Sequence, residues 1–287
     1  MRGRISRFAP SPTGRLHLGH AFSAIRAHDL ARGSGGKFFL RIEDIDPARS
    51  RSDHVEGIIE DLRWLGLTWD DDPLFQSQRL PLYADALGLL RDMGLVYPCF
   101  CTRAEIAAEV AASASAPHGP DGPHYPGTCR HLPDAERARR MAETPHSWRL
   151  DVARAAELAG PLSWWDQARR RVVATPEAHG DVVIARKDAP TSYHLAVVID
   201  DAAQGITDVV RGEDLFDATH VHRLLQALLG LPTPRYHHHA LLTDADGRRL
   251  AKRDGAPTLA GMREAGVDAE VLVERLRAGE TPPNRLS

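Results

Sequence analysis

The sequence predicts an α/β protein built around a parallel sheet, and three observations carry that expectation. Residues 5–42 spell a strand, a glycine-bearing loop, a helix and a second strand. A further helix followed by a strand is legible at 217–229 and 236–242. The 287 residues are enough for about two domains of roughly 150 residues, or for one large domain with insertions. A strand–helix–strand unit closes as a right-handed crossover with its strands parallel.

Ile5 to Ala9 forms the first strand, stopped by the breakers Pro10-Ser11-Pro12-Thr13-Gly14. Leu18, Phe22, Ile25 and Leu30 stand near helical spacing, which predicts a helix over 18–32 ended by Gly33 to Gly36. Lys37 to Ile42 is the second strand. Helical patterns follow at Val55–Leu65 and Pro81–Met93, then a short strand near Val96. Residues 111–123, AASASAPHGPDGP, are small, polar and broken, and read as a flexible insertion loop. Strand-like runs return at Ser147–Asp151, Asp181–Ala185 and Tyr193–Ile199. After the helix and strand at 217–242 comes a Gly- and Arg-rich loop at 244–257, two short helices and a Pro-rich tail.

Hydrophobic residues make up 43% and charged residues 26%, the balance of an ordinary soluble globular chain. No apolar run reaches the 18 or so residues that a membrane span needs, and the basic N-terminus lacks the apolar core of a secretory signal. A cytoplasmic protein is expected. The net charge of -3 makes the whole chain no attractor of polyanions, although a local basic face is compatible with it. Lysine is scarce, at positions 37, 187 and 252 alone. Three cysteines cannot pair completely, and Cys99-x-Cys101 with Cys129 suggests a metal before a crosslink.

The first chemical constellation is Arg7-Phe8-Ala9-Pro10-Ser11, then His17-Leu18-Gly19-His20. A strand-to-helix junction exposes backbone N–H groups, and the helix dipole adds partial positive charge, so anions settle there. His17 and His20, three apart, share one face and can donate to phosphate oxygens. Gly19 between them lets a flat ring approach the backbone.

RFAPSPTGRLHLGH, followed by RIEDIDPARS at 41–50, resembles the glutamyl branch of the class I aminoacyl-tRNA synthetases. The resemblance implies a Rossmann-like catalytic core in which His17 and His20 form the HIGH motif and act with ATP. It assigns ATP contacts to Arg7, Phe8, Ala9, Pro10 and Ser11. It places a KMSKS-like loop at Arg249-Leu250-Ala251-Lys252-Arg253, with Lys252 both catalytic and ATP-binding; Arg249 and Arg253 depart from the family pattern. Lysine there neutralises charge on the leaving pyrophosphate, and Mg²⁺ accompanies ATP.

Glutamate carries two carboxylates and one ammonium, so its pocket needs two cations and one anion. Family equivalents of Arg7, Arg211, Glu43 and Tyr193 line that pocket, and an arginine fork matches a carboxylate bidentately. Glu43 has a competing role as a salt-bridge partner of Arg41 or Arg49.

Three thiolates suit one structural zinc per chain with a fourth ligand still to be found. Chemistry alone nominates His124, His131 or His118. The resemblance implies Tyr125 of Tyr-x-x-x-Cys129, with His124 in reserve.

Three adjacent histidines, His237 to His239, make a poor metal site, because neighbouring side chains on a strand point to opposite faces. Trp164-Trp165 reads as packing rather than base stacking.

A domain division follows: 1–98 as the first half of the core, 99–180 as a small zinc-bearing insertion of acceptor type, and 181–287 as the second half. Only about 35 residues follow Lys252, too few for a domain with its own core. No anticodon-binding domain is therefore expected. That points to a truncated branch of the family, and Val197 replaces a residue commonly polar in the full-length enzymes. The implied activity is activation of L-glutamate with ATP and transfer to queuosine at the wobble position of tRNA(Asp), by a cytoplasmic monomer. Alternatives are a short enzyme charging a tRNA 3′ end, a small-molecule nucleotidyltransferase, and an inactive paralogue that binds tRNA or protein.

Overall fold

The computed structural model describes residues 3–112, 118–119, 122–243 and 257–280. The first unit is β1 (Ser6–Phe8), α1 (Leu18–Arg32) and β2 (Phe38–Ile42), with β1 and β2 parallel in the register Ser6↔Phe38 to Phe8↔Leu40. Buried Ala21, Ala24, Ala27 and Ala31 let α1 lie close on the sheet, while Leu18, Phe22 and Ile25 fill the core between them. The helix α2 (Ser52–Trp64) leads to β3 (Leu74–Phe75), which pairs parallel with β2.

The helix α3 (Leu80–Asp92) precedes β4 (Val96–Cys99), α4 (Arg103–Ala112) and the strand pair β5 (His118–Gly119) and β6 (Gly122–Pro123). Ala111 and Ala112, expected in a loop, thus close a helix, while 113–117 and 120–121 lie outside the described residues. After α5 (Asp134–Glu143), β7 (Ser147–Leu150) pairs antiparallel with β4. The helix α6 (Val152–Ala159) is followed by the hairpin β8 (Ser163–Asp166) and β9 (Arg170–Val173). Then β10 (Val183–Ala185) joins the other edge of β7.

The chain returns to the core through α7 (Tyr193–Ala203), β11 (Asp208–Gly212), α8 (Ala218–Leu228) and β12 (Arg235–His239), and ends its described part with α9 (Leu259–Glu264) and α10 (Ala269–Arg277). The strands β11, β12 and β8 run parallel, with β9 antiparallel at the edge. The N–H groups of Thr207 and Asp208 both donate to the Ile5 carbonyl, at 2.9 and 3.1 Å, which seats β11 beside β1. The parallel layer expected from the first 42 residues is therefore shared between the two ends of the chain.

One expected element is corrected. Tyr193–Ile199, expected as a strand, is the first part of α7. Its buried set, Leu195, Ala196, Val197, Val198, Asp200 and Asp201, wraps much of the helix circumference. An unbroken apolar run has neither a clear two-residue nor a clear 3.6-residue period, so it fits a buried strand and a buried helix alike. Packing against α3, β10 and α8 decides the outcome.

Candidate active site

His17 is the N-cap of α1. Its Nδ1 accepts from the Gly19 N–H at 3.1 Å, and the His20 Nδ1 accepts from the His17 N–H at 3.2 Å. Two histidines therefore do the work usually done by a serine and a glutamate at a helix start. The two rings lie 3.9 Å apart. With Nδ1 an acceptor in each, the neutral rings carry their protons on Nε2, and both residues line a cavity of about 510 Å³. Gly19 gives the His17 ring room to lie close, since a Cβ there would meet that ring at 3.0 Å and push it aside.

The cavity lies at the carboxyl ends of β1 and β11, where ligands of open α/β sheets bind. Arg7, Phe8, Ala9, Pro10, Ser11, Glu43, Tyr193 and Arg211 all line it together with the two histidines. The loop Arg249–Arg253, with Lys252, lies outside the described residues.

The two arginines differ in a way that charge counting could not foresee. Arg7 is already spoken for: its Nε and Nη2 donate to the two oxygens of Asp201 at 2.9 and 3.3 Å. The same Asp201 accepts from Arg41 at 2.7 Å, and Arg41 reaches Glu43 at 3.4 Å. Arg7, Asp201, Arg41 and Glu43 thus alternate in sign, with Arg7 and Glu43 at the cavity wall and Arg41 fully buried behind them. Arg49 instead pairs with Asp46 at 2.6 Å. Burial works against the Asp201 carboxylate, yet Arg7 and Arg41 hold it below the usual range. Burial pushes Glu43 up, and Arg41 and Arg7 offset only part of that.

Arg211, 5% exposed, has only neutral hydrogen-bond partners among the described residues. It donates to Thr219 Oγ1 at 2.6 Å, Tyr193 Oη at 3.2 Å, His238 Nε2 at 3.2 Å and His222 Nδ1 at 3.4 Å. Burial and then Arg211 hold His222 well below its ordinary pKa, which keeps that ring neutral. A buried guanidinium on a cavity wall, with no carboxylate among its described hydrogen-bond partners, is suited to bind an anion.

His238 faces Arg211 on one side and Asp166 Oδ2, at 2.9 Å, on the other. Burial, reinforced by Arg211, lowers its pKa to about 4 against the pull of Asp166. An unfolded histidine titrates near 6.5. Between those values the unfolded chain binds a proton that the folded chain refuses, so stability falls as pH falls through that window. This one ring contributes up to about 3 kcal/mol of that loss by pH 4. Thermal melts from pH 7 to pH 4 are expected to flatten measurably in His238→Gln. An unchanged pH slope in that variant rules out the assignment.

His237 and His239, on either side of it, go elsewhere: His237 to Asp208 at 2.7 Å and His239 to Ser23 at 2.8 Å. The expected alternation therefore scatters the three rings. Trp164 is buried against Phe216 and Tyr236, as the packing reading anticipates.

The cysteines converge. The Sγ atoms of Cys99, Cys101 and Cys129 all lie within 4.8 Å of one another, and Cys101 and Cys129 are 3.5 Å apart. Tyr125 Oη stands 3.5 Å from Cys101 Sγ and accepts from the Cys129 N–H at 2.9 Å. A tetrahedral zinc with 2.3 Å bonds sets its sulfurs about 3.8 Å apart, so the thiols fit a metal of that size. His124 is turned away, its Nε2 donating to the Ala178 carbonyl at 2.6 Å, and His131 is exposed. Burial opposes ionisation at Cys99, but Tyr125 and Arg149 outweigh it and lower its pKa.

Sequence reasoning named Arg41 as a partner of Glu43 but missed Asp201 behind the wall, and Ser23, Asp214 and His239 on it. A signal existed for the first: Asp200-Asp201 interrupts the apolar run VVIDDAA, and two acids inside such a run must be buried with cations.

The family described as tRNA synthetases class I (E and Q), catalytic domain, matches residues 5–285. A glutamyl-Q tRNA(Asp) synthetase of Rhodobacter capsulatus is 54% identical over 269 residues, 91% of this chain and 95% of that protein. One from Symbiobacterium thermophilum is 48% identical, covering 94% of this chain and 84% of its own length. Among solved structures, a glutamate tRNA ligase of Elizabethkingia meningosepticum in complex with its amino acid matches with a TM-score of 0.79 at 29% identity. The match covers 96% of this chain and 60% of that ligase, so the chain spans about three fifths of the ligase's length. With identity this high along nearly all of both chains, the protein belongs to the class I tRNA synthetases of the E and Q group, within the glutamyl-Q tRNA(Asp) synthetase family.

Proposed function

We propose that the chain activates L-glutamate with ATP to glutamyl-adenylate and passes the glutamyl group to queuosine at the wobble position of tRNA(Asp). The observation that carries the glutamate half is Arg211, a buried cation with neutral partners, in the same cavity as the histidine-capped start of α1. The nucleic-acid half is supported by the relatives' activity.

In this reading Arg211 and Tyr193 take one carboxylate of glutamate. Glu43 takes the ammonium, and the remaining Nη1 of Arg7 faces the other carboxylate. The α-carboxylate oxygen attacks the α-phosphorus of ATP, and the bond to pyrophosphate breaks. The Nε2–H groups of His17 and His20, with the first N–H groups of α1, meet the negative charge that grows on the phosphate oxygens. Lys252 receives the pyrophosphate by its place in the signature loop. Mg²⁺, entering with ATP, offsets further phosphate charge. A hydroxyl of the cyclopentene diol of queuosine then attacks the carbonyl carbon of the mixed anhydride and gives up its proton, and the acyl–phosphate bond breaks to release AMP. No enzyme nucleophile is needed, because catalysis here is positioning and charge stabilisation.

The test is incubation with labelled glutamate, ATP, Mg²⁺ and queuosine-containing tRNA, then ribonuclease digestion to locate the label. Label in the anticodon fragment is the expected result. Label on the 3′-terminal adenosine would make the chain a short glutamate tRNA ligase, and no label would favour a binding module.

Cys99, Cys101, Cys129 and Tyr125 are proposed to hold one structural zinc, which would tie the segment Tyr125–Cys129 to the end of β4 and the start of α4. Cys129→Ser is expected to lower bound zinc from about one per chain to a small fraction and to reduce the melting temperature. Full zinc content in that variant, measured by elemental analysis, would remove Cys129 from the ligand set.

A further inference from the structure

The β8–β9 hairpin and the start of β12 carry exposed charge that no described carboxylate neutralises. Arg170 and Arg171 on β9, and Arg235 at the start of β12, are exposed, and none of them forms an ion pair with a described carboxylate. Some exposed arginines elsewhere find acids, Arg51 meeting Asp53 at 3.1 Å, Arg139 meeting Glu143 at 2.7 Å and Arg277 meeting Asp29 at 2.8 Å, while others such as Arg91 and Arg275 do not among the described residues. At the hairpin the neighbouring acids are turned inward. Asp166 accepts from His238 and from the N–H groups of Ala168 and Arg169, while Asp208 is bonded to His237 and Thr207. In a chain with net charge -3, three cations without an acid partner are gathered here around Trp165.

The arginines are also presented rather than merely exposed. The Trp165 ring lies under both Arg235, 4.7 Å from its centroid, and Arg170, 6.0 Å away. Arg171 stands opposite Trp165 across the hairpin and so on the same face. Arg170 has φ of +64°, a left-handed conformation that a hairpin turn ordinarily gives to glycine or asparagine.

The surface continues into the cavity. Because β8 runs parallel with β12, the hairpin turn points toward the carboxyl ends of the strands. There the Arg169 guanidinium lies 3.8 Å above the Phe216 ring, next to Leu215, which lines the cavity.

We infer that the β8–β9 hairpin, with Arg235 beside it, is the surface that grips the sugar–phosphate backbone of the tRNA. The inference rests on the reading that tRNA is the acceptor and names where it docks. Unpaired arginines match phosphates by charge and fork geometry, and bound phosphates release counterions, so the contact is salt-dependent. Arg169 is the end of this surface nearest the cavity, and Arg235, at the amino end of β12, is its far end.

Filter binding of an unmodified tRNA(Asp) transcript over a series of salt concentrations tests this. The triple variant Arg170→Ala, Arg171→Ala, Arg235→Ala is expected to bind at least about 10-fold more weakly near 100 mM salt, with a log–log salt slope shallower by about 2. Arg277→Ala, which removes a paired arginine on α10, should leave binding unchanged. Arg170→Gly separates docking from folding: it relieves the left-handed strain and should raise the Tm by about 2 °C while weakening RNA binding about threefold. Wild-type affinity and slope in the triple variant would overturn the docking surface and leave glutamyl transfer standing. A wild-type protein that forms glutamyl-adenylate yet binds no tRNA would overturn both.

Discussion

Replacing Arg211 with methionine is expected to lower kcat/KM for glutamate in adenylate formation by about 100- to 1,000-fold while the Tm stays within a few degrees of wild type. Truncating one member of a desolvated charge pair costs roughly 2–5 kcal/mol, and here the other member is the substrate. The loss should fall mainly on KM, because a carboxylate held equally in ground and transition states contributes uniform binding. Stability is spared because no protein carboxylate is orphaned. Thr219 Oγ1 lies 3.3 Å from His238 Nε2 and can donate to it once the guanidinium is gone, and Tyr193 faces the cavity. Arg211→Lys keeps the charge without the fork and should recover part of the loss. Steady-state kinetics over a wide glutamate range, paired with thermal melts, decides the matter. A kcat/KM within threefold of wild type would exclude Arg211 from the glutamate site.

Asp200→Ala should produce the opposite profile, a loss of about 3–5 kcal/mol in stability. Its carboxylate, fully buried, accepts from Arg79 Nε at 2.7 Å, Gln76 Nε2 at 2.8 Å and Tyr83 Oη at 2.8 Å, and lies 4.0 Å from Arg41 Nε. Deleting it strands buried donors from three parts of the chain at once, and each unsatisfied group costs about 1–3 kcal/mol. At about 2–4 °C per kcal/mol for a chain of this size, a Tm drop of roughly 6–20 °C follows. Tyr83→Phe removes one donor with its acceptor intact and should cost less. A Tm drop under 2 °C in Asp200→Ala would mean that the network is replaceable. Asp201, one residue on, holds Arg7, so Asp201→Asn should also raise KM for glutamate, whereas Asp200 does not touch the cavity lining.

Those two adjacent aspartates mark the limit of what could be read beforehand. The first βαβ unit was legible because its signals are local: breakers after Ala9, helical spacing from Leu18, glycines after Arg32. The histidine-capped start of α1 was equally local, as both rings act within four residues of each other. The cysteine cluster was announced by residue type, since thiols in that spacing have few other uses. The family likeness rested on the same short motifs.

What the tertiary structure alone decided lies at long sequence separation. That α7 is a helix depends on neighbours covering most of its surface, which a run of apolar residues cannot express. That Arg7 is neutralised and Arg211 is not depends on Asp201, 194 residues from Arg7 along the chain. Both arginines looked alike as letters. Local propensity and spacing determined the elements and nominated the chemistry; the distribution of charge inside the cavity followed from which elements α7 packs against, because a buried charge is defined by its nearest partner and not by its sequence neighbours.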